Sequence, residues 1–292
     1  MALPADDPET QARLAAFAQG LQQLGWTVGQ NVRVDYRWGH GNADAQRNAS
    51  ELVALGPDVI LAHSSGAVTA VLQTTRTIPI VFTLVADPVG GGYVESLAHP
   101  GGNVTGFASF EYSIGSEWLR LLKEVSPDIR HFAVIFHPNT TPGGWLPLIK
   151  AVAPLLGLEV NEVAVNDDSQ IDGAIDALKT SSDAGVIVLP SSFTRLHRQR
   201  IIDFAARLQL PAVYWDSRFV KDGGLISYAY SLDEEERQGA TYVDRILKGE
   251  KAGDLPVQET KKIELVINLK TAKALGLTIP SSVLARADEV IE

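Results

Sequence analysis

The stretch Asp58-Val-Ile-Leu-Ala-His-Ser-Ser-Gly66 decides the fold, because it passes directly from a strand to a helix. Residues 59–63 carry apolar side chains toward both faces, which is typical of a strand covered on both sides, as in a parallel sheet. A helix-like pattern follows over 67–76. Between the two stand Ser64, Ser65 and Gly66, and these residues either cap the helix or hold a ligand.

The same alternation of strand and helix continues along most of the chain. Apolar runs predict strands over residues 32–38, 59–63, 80–84, 132–136, 158–164, 185–189, 212–215 and 225–228. Amphipathic patterns predict helices over residues 8–24, 43–55, 67–76, 116–125, 146–156, 169–180, 194–208 and 233–248. The sequence therefore predicts an α/β protein with doubly wound parallel sheets.

The alternation falls into two blocks, one ending near residue 106 and one running from 113 to about 228. The Gly- and Pro-rich link His99-Pro-Gly-Gly-Asn-Val-Thr-Gly106 separates them and is typical of a crossover. Two such blocks would leave a cleft between them, and ligands of open α/β sheets bind outside the carboxyl ends of the strands. The first block opens with a helix, whereas a doubly wound lobe normally opens with a strand.

Composition excludes several classes of protein. The net charge of −10 over 292 residues argues against a nucleic-acid surface, and we expect the basic stretch 195–200 to be a solvated helix face. There is no cysteine, which excludes disulfides and thiolate chemistry. No apolar run is long enough to span a membrane, and residues 1–10 do not have the pattern of a signal peptide.

No catalytic or cofactor motif is complete. The turn Gly39-His-Gly-Asn-Ala-Asp44 has a carboxylate where a dinucleotide fingerprint needs a small residue, so we interpret Asn42 or Asp44 as a helix cap. Neither G-x-S-x-G nor H-E-x-x-H occurs. Acidic runs at 167–168 and 234–236 stand at predicted helix starts, where the helix dipole favours them. We therefore expect no enzyme activity, no metal and no cofactor.

Polar, small-residue loops follow nearly all of the predicted strands. Backbone N–H groups at a helix start, together with serine hydroxyls, make a neutral cradle for a carboxylate. Asp216 could then face a ligand cation, and aromatic side chains at 214, 215 and 228 could cover an apolar part. The candidate ligand-binding residues are Ser64, Ser65, Thr83, Asp87, Asn139, Ser191, Asp216 and Tyr228.

Several stretches together resemble one protein family. They are Gly25-Trp26, Asn31-Val-Arg-Val-Asp-Tyr-Arg37, Asp87-Pro-Val89, the 99–106 link, Phe219-Val220, Gly223-Gly-Leu-Ile-Ser-Tyr228 and the C-terminal segment ELVINLKTAKALGLTIPSSVLARADEVIE at 264–292. The chain resembles ABC-transporter substrate-binding proteins, which are type I periplasmic binding proteins that include a tryptophan/tyrosine-binding branch. The resemblance covers essentially the whole chain.

The resemblance implies two α/β lobes that close by hinge motion on a small solute and deliver it to an ABC permease at the membrane. It places 1–106 and about 230–260 in the first lobe, and 107–229 and about 261–292 in the second. It implies a periplasmic monomer that binds a carboxylate-bearing ligand such as an aromatic amino acid. Ser64 and Ser65 would take the ligand carboxylate, and Asp216 its α-amino group.

The chain departs from the family in two places. An apolar strand before Ala2-Leu3-Pro4 has no counterpart, so we expect a weakened first lobe whose melting temperature rises when that strand is added. His63 has no clear counterpart either, and we expect it only to pack. Two alternatives stay open: a ligand-sensing domain of the same fold, and an α/β enzyme acting on a small acid.

Overall fold

The chain forms two compact units in the computed structural model. Unit 1 comprises Met1–Phe110 and Ser231–Lys262, and unit 2 comprises Glu111–Tyr230 and Ile263–Glu292. The residues described are 8–39, 42–85, 87–108, 112–141, 143–167, 169–171, 173, 183–260 and 262–292.

Unit 1 is built on a four-stranded parallel sheet. Its strands are β1 (Ile60–His63), β2 (Ile80–Val85), β3 (Val104–Ala108) and β9 (Gln258–Glu259), in the order β1-β2-β3-β9. Its helices are α1 (Pro8–Gln23), α2 (Asn42–Ala54), α3 (Ser65–Thr74) and α9 (Leu232–Leu247). A short 3-10 helix, Ala252–Asp254, precedes β9.

The two faces of this sheet bury separate apolar clusters, because side chains alternate along a strand. Ile80 and Phe82 of β2 lie in a cluster that includes residues of α3. Val81 lies in the other cluster, with Phe17 of α1 and Val243 of α9. Helices therefore cover both faces of β2, which is why this strand is apolar except at Thr83.

Residues 32–38 do not form the strand predicted for them. Only an isolated bridge joins Val28 to Val32, and no strand is assigned from there to α2. The segment alternates as a strand does, but a strand also needs a neighbour for its backbone hydrogen bonds, and within the described residues β1 pairs with β2 alone. Side-chain periodicity alone therefore does not establish a strand, because it says nothing about the neighbouring strand that must pair with it.

Unit 2 is built on a seven-stranded sheet. Its strands are β4 (His131–Phe136), β5 (Glu159–Ala164), β6 (Ala184–Val188), β7 (Ala212–Tyr214), β8 (Ile226–Tyr230), β10 (Ile263–Asn268) and β11 (Glu289–Ile291), in the order β11-β10-β8-β7-β6-β4-β5. All pairs are parallel except β10 with β8. The predicted mixed α/β fold with parallel sheets is confirmed.

Helices connect most of these strands. They are α4 (Ile114–Val125), α5 (Trp145–Val152) with a 3-10 turn Ala153–Leu156, α6 (Ser192–Leu196), α7 (Arg198–Arg207), α8 (Ser217–Lys221), α10 (Leu269–Ala274) and α11 (Ser281–Leu284). The single helix predicted for 194–208 is wrong, because His197 has φ −100° and ψ 20° and separates α6 from α7. Most of the predicted helix 169–180 lies outside the described residues.

Within the described part of the chain, no helix combines the length and the apolar character needed to cross a membrane.

Candidate functional site

The turn after β1 has an unusual backbone. Ser64 has φ 98° and ψ 154°, a region that only glycine adopts freely. Its backbone N–H donates to Thr83 O at 2.9 Å, and its carbonyl accepts from Val68 N at 3.1 Å, so the turn is tied to β2 and to α3. A strained residue at the carboxyl end of a parallel strand is typical of a functional turn.

The N-terminus of α3 has no side-chain cap. Ser64 occupies the N-cap position, yet its side chain makes no cap hydrogen bond, so the interpretation of this serine as a side-chain cap is wrong. Neither the Ser64 nor the Ser65 hydroxyl has a hydrogen-bond partner among the described residues. Two serine hydroxyls and the first-turn N–H groups of α3 therefore belong to the same helix start, and donors of this kind attract an anion.

Thr83, the next candidate along the sheet, uses its hydroxyl inside the protein. The side chain is fully buried, and Oγ1 donates to Glu236 Oε1 at 3.1 Å. His63 Nδ1 lies 3.1 Å from the same hydroxyl. Thr83 thus supports the turn after β1 from behind.

His63 does more than pack, contrary to the expectation from sequence. Its Nε2 lies 2.7 Å from Arg13 Nη1, and its Nδ1 lies 2.6 Å from Glu236 Oε1. A guanidinium can only donate, so Nε2 accepts and Nδ1 carries the proton that is donated to Glu236. His63 is therefore neutral, and its ring links the buried guanidinium of Arg13 in α1 to the buried carboxylate of Glu236 in α9.

The protonation of this group follows from its surroundings. Burial lowers the pKa of His63 to about 4, the Arg13 charge acts in the same direction, and Glu236 opposes both. Burial by itself would raise the pKa of Glu236. The positive charge of Arg13 and the hydrogen bonds from His63 and Thr83 outweigh it, so the pKa of Glu236 lies below its usual value.

A second strained residue lies near the end of β2, where the pairing with β3 shifts register between Phe82 and Val85. Leu84 has φ 57°, and its backbone N–H donates to Glu235 Oε1 at 2.5 Å. Glu234 and Glu235 lie in the first turn of α9, where the run 234–236 was predicted to stand. Glu235 and Glu236 are nevertheless only 1% and 2% exposed, so they are more than solvated charges at a helix start. They reach across to the strand ends, and both are bound there.

Asp87, the fourth candidate of unit 1, stabilises its own turn. Its Oδ1 accepts from Gly90 N at 2.7 Å, and its carbonyl accepts from Gly91 N at 2.9 Å. The residue itself is exposed.

In unit 2, the loops after β4, β6 and β7 meet at one edge of the sheet, because these strands are parallel neighbours. Ser191 caps α6: its Oγ accepts from Thr194 N at 2.9 Å and donates to Thr194 Oγ1 at 3.0 Å. Trp215 Nε1 donates to that Thr194 hydroxyl at 3.2 Å. The buried Ser191 hydroxyl is thus part of the packing between α6 and β7.

Asp216 caps α8 and lies beside two arginines. Its Oδ1 accepts from Arg218 N at 3.0 Å, while Oδ2 lies 3.5 Å from Arg218 Nη1 and 3.7 Å from Arg195 Nη2. Arg195 is 6% exposed and its guanidinium stacks on the Trp215 ring at 4.6 Å, so it does not belong to a solvated helix face. The charge of Asp216 is therefore already compensated within unit 2.

The two remaining candidates differ in position. Asn139 is exposed in the turn after β4, where its N–H lies 3.2 Å from His137 Nδ1. Tyr228 lies within β8, which continues to Tyr230, so its predicted place at the strand end is wrong. Burial and the nearby Glu117 carboxylate raise the pKa of Tyr228.

Phe193 of α6 packs between two histidines at the same edge of the sheet. Its ring centroid lies 5.0 Å from that of His137 and 4.2 Å from that of His197.

Sequence reasoning missed the buried charges that hold these loops: Arg13, Arg195, Glu235 and Glu236. Their partners are far along the chain; His63 and Glu236, for example, are separated by 173 residues. Among the described residues, no cluster of three or more His, Asp or Glu side chains could hold a metal ion. What the described residues offer chemically is an uncapped helix start with two serine hydroxyls, a set of donors that suits an anion.

Comparison with known proteins gives this geometry a context. A family model described as ABC transporter substrate binding protein matches residues 2–291. A tyrosine-binding protein of Clostridioides difficile (strain R20291) is 26% identical over 275 residues, which cover 93% of this chain and 79% of that protein.

Solved structures show the same fold. A conserved domain protein from Vibrio cholerae O1 biovar El Tor matches with TM-score 0.87 and 30% identity, over 97% of this chain and 95% of that one. An ABC domain in complex with L-Trp from Streptococcus pneumonia matches with TM-score 0.84 and 24% identity, over 97% and 96% of the two chains.

Proposed function

The chain belongs to the family of ABC transporter substrate-binding proteins, and from that premise we propose that it is the solute-binding component of an ABC importer whose ligand is an aromatic amino acid. Members of this family bind a substrate and are not enzymes, so function here means affinity rather than turnover. The aromatic class is supported by the tyrosine-binding relative and by the L-Trp complex of the structural neighbour.

The observation that carries the proposal is the turn Ser64-Ser65 at the start of α3. Its hydroxyls have no partner among the described residues and its helix start has no side-chain cap. A ligand carboxylate placed there would accept several hydrogen bonds at the positive end of the helix. We therefore assign the ligand carboxylate to Ser64 and Ser65, with Thr83 supporting the turn and Asp87 bordering it.

For unit 2 we propose Asn139, Ser191, Asp216 and Tyr228 as ligand-facing residues. Asp216 carries the charge that an α-ammonium group requires, and Arg195 and Arg218 compete for it. An ammonium group at Asp216 would thus be recognised by a shared carboxylate, which predicts a modest contribution to affinity. That the ligand lies in a cleft between the two units, which closes by hinge motion, stays a prediction.

Delivery of the ligand requires a membrane partner. We propose an ABC permease as that partner, a periplasmic location and a monomeric state, as the family resemblance implies.

The experiment is ligand binding by calorimetry and thermal unfolding, on protein refolded from denaturant so that carried-over ligand is removed. The probes are L-tyrosine and L-tryptophan, their amines without the carboxylate, and their propionic acids without the ammonium group. A ligand at about 100 times its Kd stabilises the protein by about 2.7 kcal/mol. We expect the amino acids to bind and the amines to fail, because the cradle needs an anion.

Variants connect that result to residues. Ser64→Ala combined with Ser65→Ala is expected to weaken binding by about tenfold or more, since each lost bond is to a charged group. Ser50→Ala is the matched control, because its exposed hydroxyl bonds only Gln46 O on α2. Asp216→Asn should reduce the difference in affinity between an amino acid and the corresponding propionic acid, because the variant lacks the charge that attracts the ammonium group. Equal binding of amines and acids by folded protein would contradict the proposal.

A further inference from the structure

Two strained turns of unit 1 share one support. Within the described residues, Ser64, Leu84 and Gln209 are the non-glycine residues with positive φ. Ser64 directly follows β1 and Leu84 is the penultimate residue of the neighbouring strand β2, so both lie where these two strands end. A left-handed residue without a special reason relaxes to the usual backbone regions. Something in the surrounding structure must therefore hold both turns.

Adjacent carboxylates of α9 are bonded to both places. Glu235 accepts the Leu84 N–H at 2.5 Å. Glu236 accepts from His63, the residue before Ser64, at 2.6 Å and from Thr83, whose carbonyl receives the Ser64 N–H, at 3.1 Å. Each bond ends at a buried carboxylate, where replacement by water is costly.

We propose that Glu235 and Glu236 are positioning residues for the ligand: without touching it, they hold the two strand-end turns in the left-handed conformations that shape the anion cradle. This inference rests on the proposed function for its link to a ligand. Its structural half, the restraint of the turns, does not depend on any ligand.

The restraint is tested first, in ligand-free protein, by amide hydrogen exchange at Leu84 and over residues 64–68. Glu235→Ala removes the acceptor of the Leu84 N–H, and we expect exchange at Leu84 to accelerate at least about tenfold. Glu235→Gln keeps an amide oxygen in place and should exchange nearly as the wild type. Glu234→Ala is the matched control, because the Glu234 carboxylate, one residue away from Glu235, accepts from Arg237 on the same helix. Unchanged exchange in Glu235→Ala overturns the proposal.

Binding of L-tyrosine and L-tryptophan tests the functional half. Glu235→Ala should weaken binding at least about tenfold, and Glu235→Gln and Glu234→Ala by less than about threefold. In a Leu84→Gly background the loss caused by Glu235→Ala should shrink, because glycine adopts the left-handed region without help. An undiminished loss in that background overturns the proposal.

A third variant covers a failure of Glu235→Ala to fold. Thr83→Val keeps the shape of the side chain and removes only the hydroxyl that joins β2 to Glu236, and Thr83→Ser restores it. We expect faster exchange at the Ser64 amide in the first and wild-type exchange in the second. If the variants show the expected exchange rates but the wild-type protein binds neither amino acid, the proposed ligand class is contradicted and the restraint of the backbone stays supported.

Discussion

At the scale of the residue, the backbone of Ser64 adopts a strained conformation that lowers the stability of the folded protein. Its φ of 98° and ψ of 154° lie where a Cβ atom is crowded, and such strain amounts to about 1–3 kcal/mol. Proteins keep strain of this kind where a turn has to present its groups in one direction. Here the presented groups are two hydroxyls and a helix start.

Replacing Ser64 by glycine should stabilise the protein. Glycine relieves about 1–3 kcal/mol of strain in the folded protein. The greater entropy of glycine in the unfolded chain offsets about 0.5–1 kcal/mol of this gain, so the free energy of unfolding should rise by about 1 kcal/mol. Chemical denaturation measures it. Ser65→Gly, one residue further in α3, should be slightly destabilising. A loss of stability in Ser64→Gly would mean that the turn is not strained.

His63 should make the stability of unit 1 depend on pH. Its pKa is lowered from 6.5 to about 4 by burial and by Arg13, with Glu236 opposing, so between these values the unfolded chain binds the proton and the folded chain does not. The contribution of neutral His63 to the free energy of unfolding is complete above pH 6.5 and is lost as the pH falls toward 4. The total loss amounts to about 3 kcal/mol. Glu236, whose pKa is lowered in the folded protein, adds to the loss of stability only below the ordinary glutamate pKa of 4.5.

Urea unfolding at pH 7, 6 and 5 measures this dependence. His63→Gln can still accept from Arg13 and donate to Glu236 but cannot take up a proton, so its stability should fall less over the same range. Identical slopes for the variant and the wild type would assign the acid sensitivity to other groups.

At the scale of the element, a close approach of strands explains one glycine of the 99–106 link. Gly106 of β3 pairs with Phe82 of β2, and a Cβ at Gly106 would lie 2.2 Å from Phe82 O. The same Cβ would lie 2.6 Å from Phe82 N. Both atoms belong to the backbone, so neither can move aside without separating the strands.

Gly106→Ala should therefore lower the free energy of unfolding by about 3 kcal/mol or more. Gly102→Ala is the control from the same link, since a Cβ there has nothing within 4 Å, and its effect should stay within about 0.5 kcal/mol. Thermal and denaturant unfolding compare the two. A small effect at Gly106 would show that β2 and β3 can part more easily than their packing indicates.

Elements with strong periodicity could be predicted from the sequence, and those that depend on distant partners could not. The strand 59–63 and the helix that follows were predicted because each bears its pattern locally. Residues 32–38 have the pattern of a strand but no partner, and the break at His197 has no local signal, since neither glycine nor proline is near it. The candidate loops were predicted from their polar residues, whereas the buried carboxylates behind them depend on contacts that only the fold creates.

At the scale of the whole molecule, each unit has its own sheet and core. Phe82 in β2 and Phe132 in β4 are both fully buried, one in each unit. Truncation of either to alanine should cost about 3–5 kcal/mol. Hydrogen exchange followed by mass spectrometry should show acceleration confined to the unit that carries the change. Acceleration of both units by either variant would show that the two open together.

The division of unit 1 into two stretches of chain has a consequence for its synthesis. His63 and Leu84 leave the ribosome early, but Glu236 and Glu235 follow them by 173 and 151 residues. At about 5–20 residues per second, the carboxylates that restrain these residues are synthesised roughly 8–35 s after them. The cradle at Ser64 is therefore assembled late in translation, after most of unit 2 has already been made.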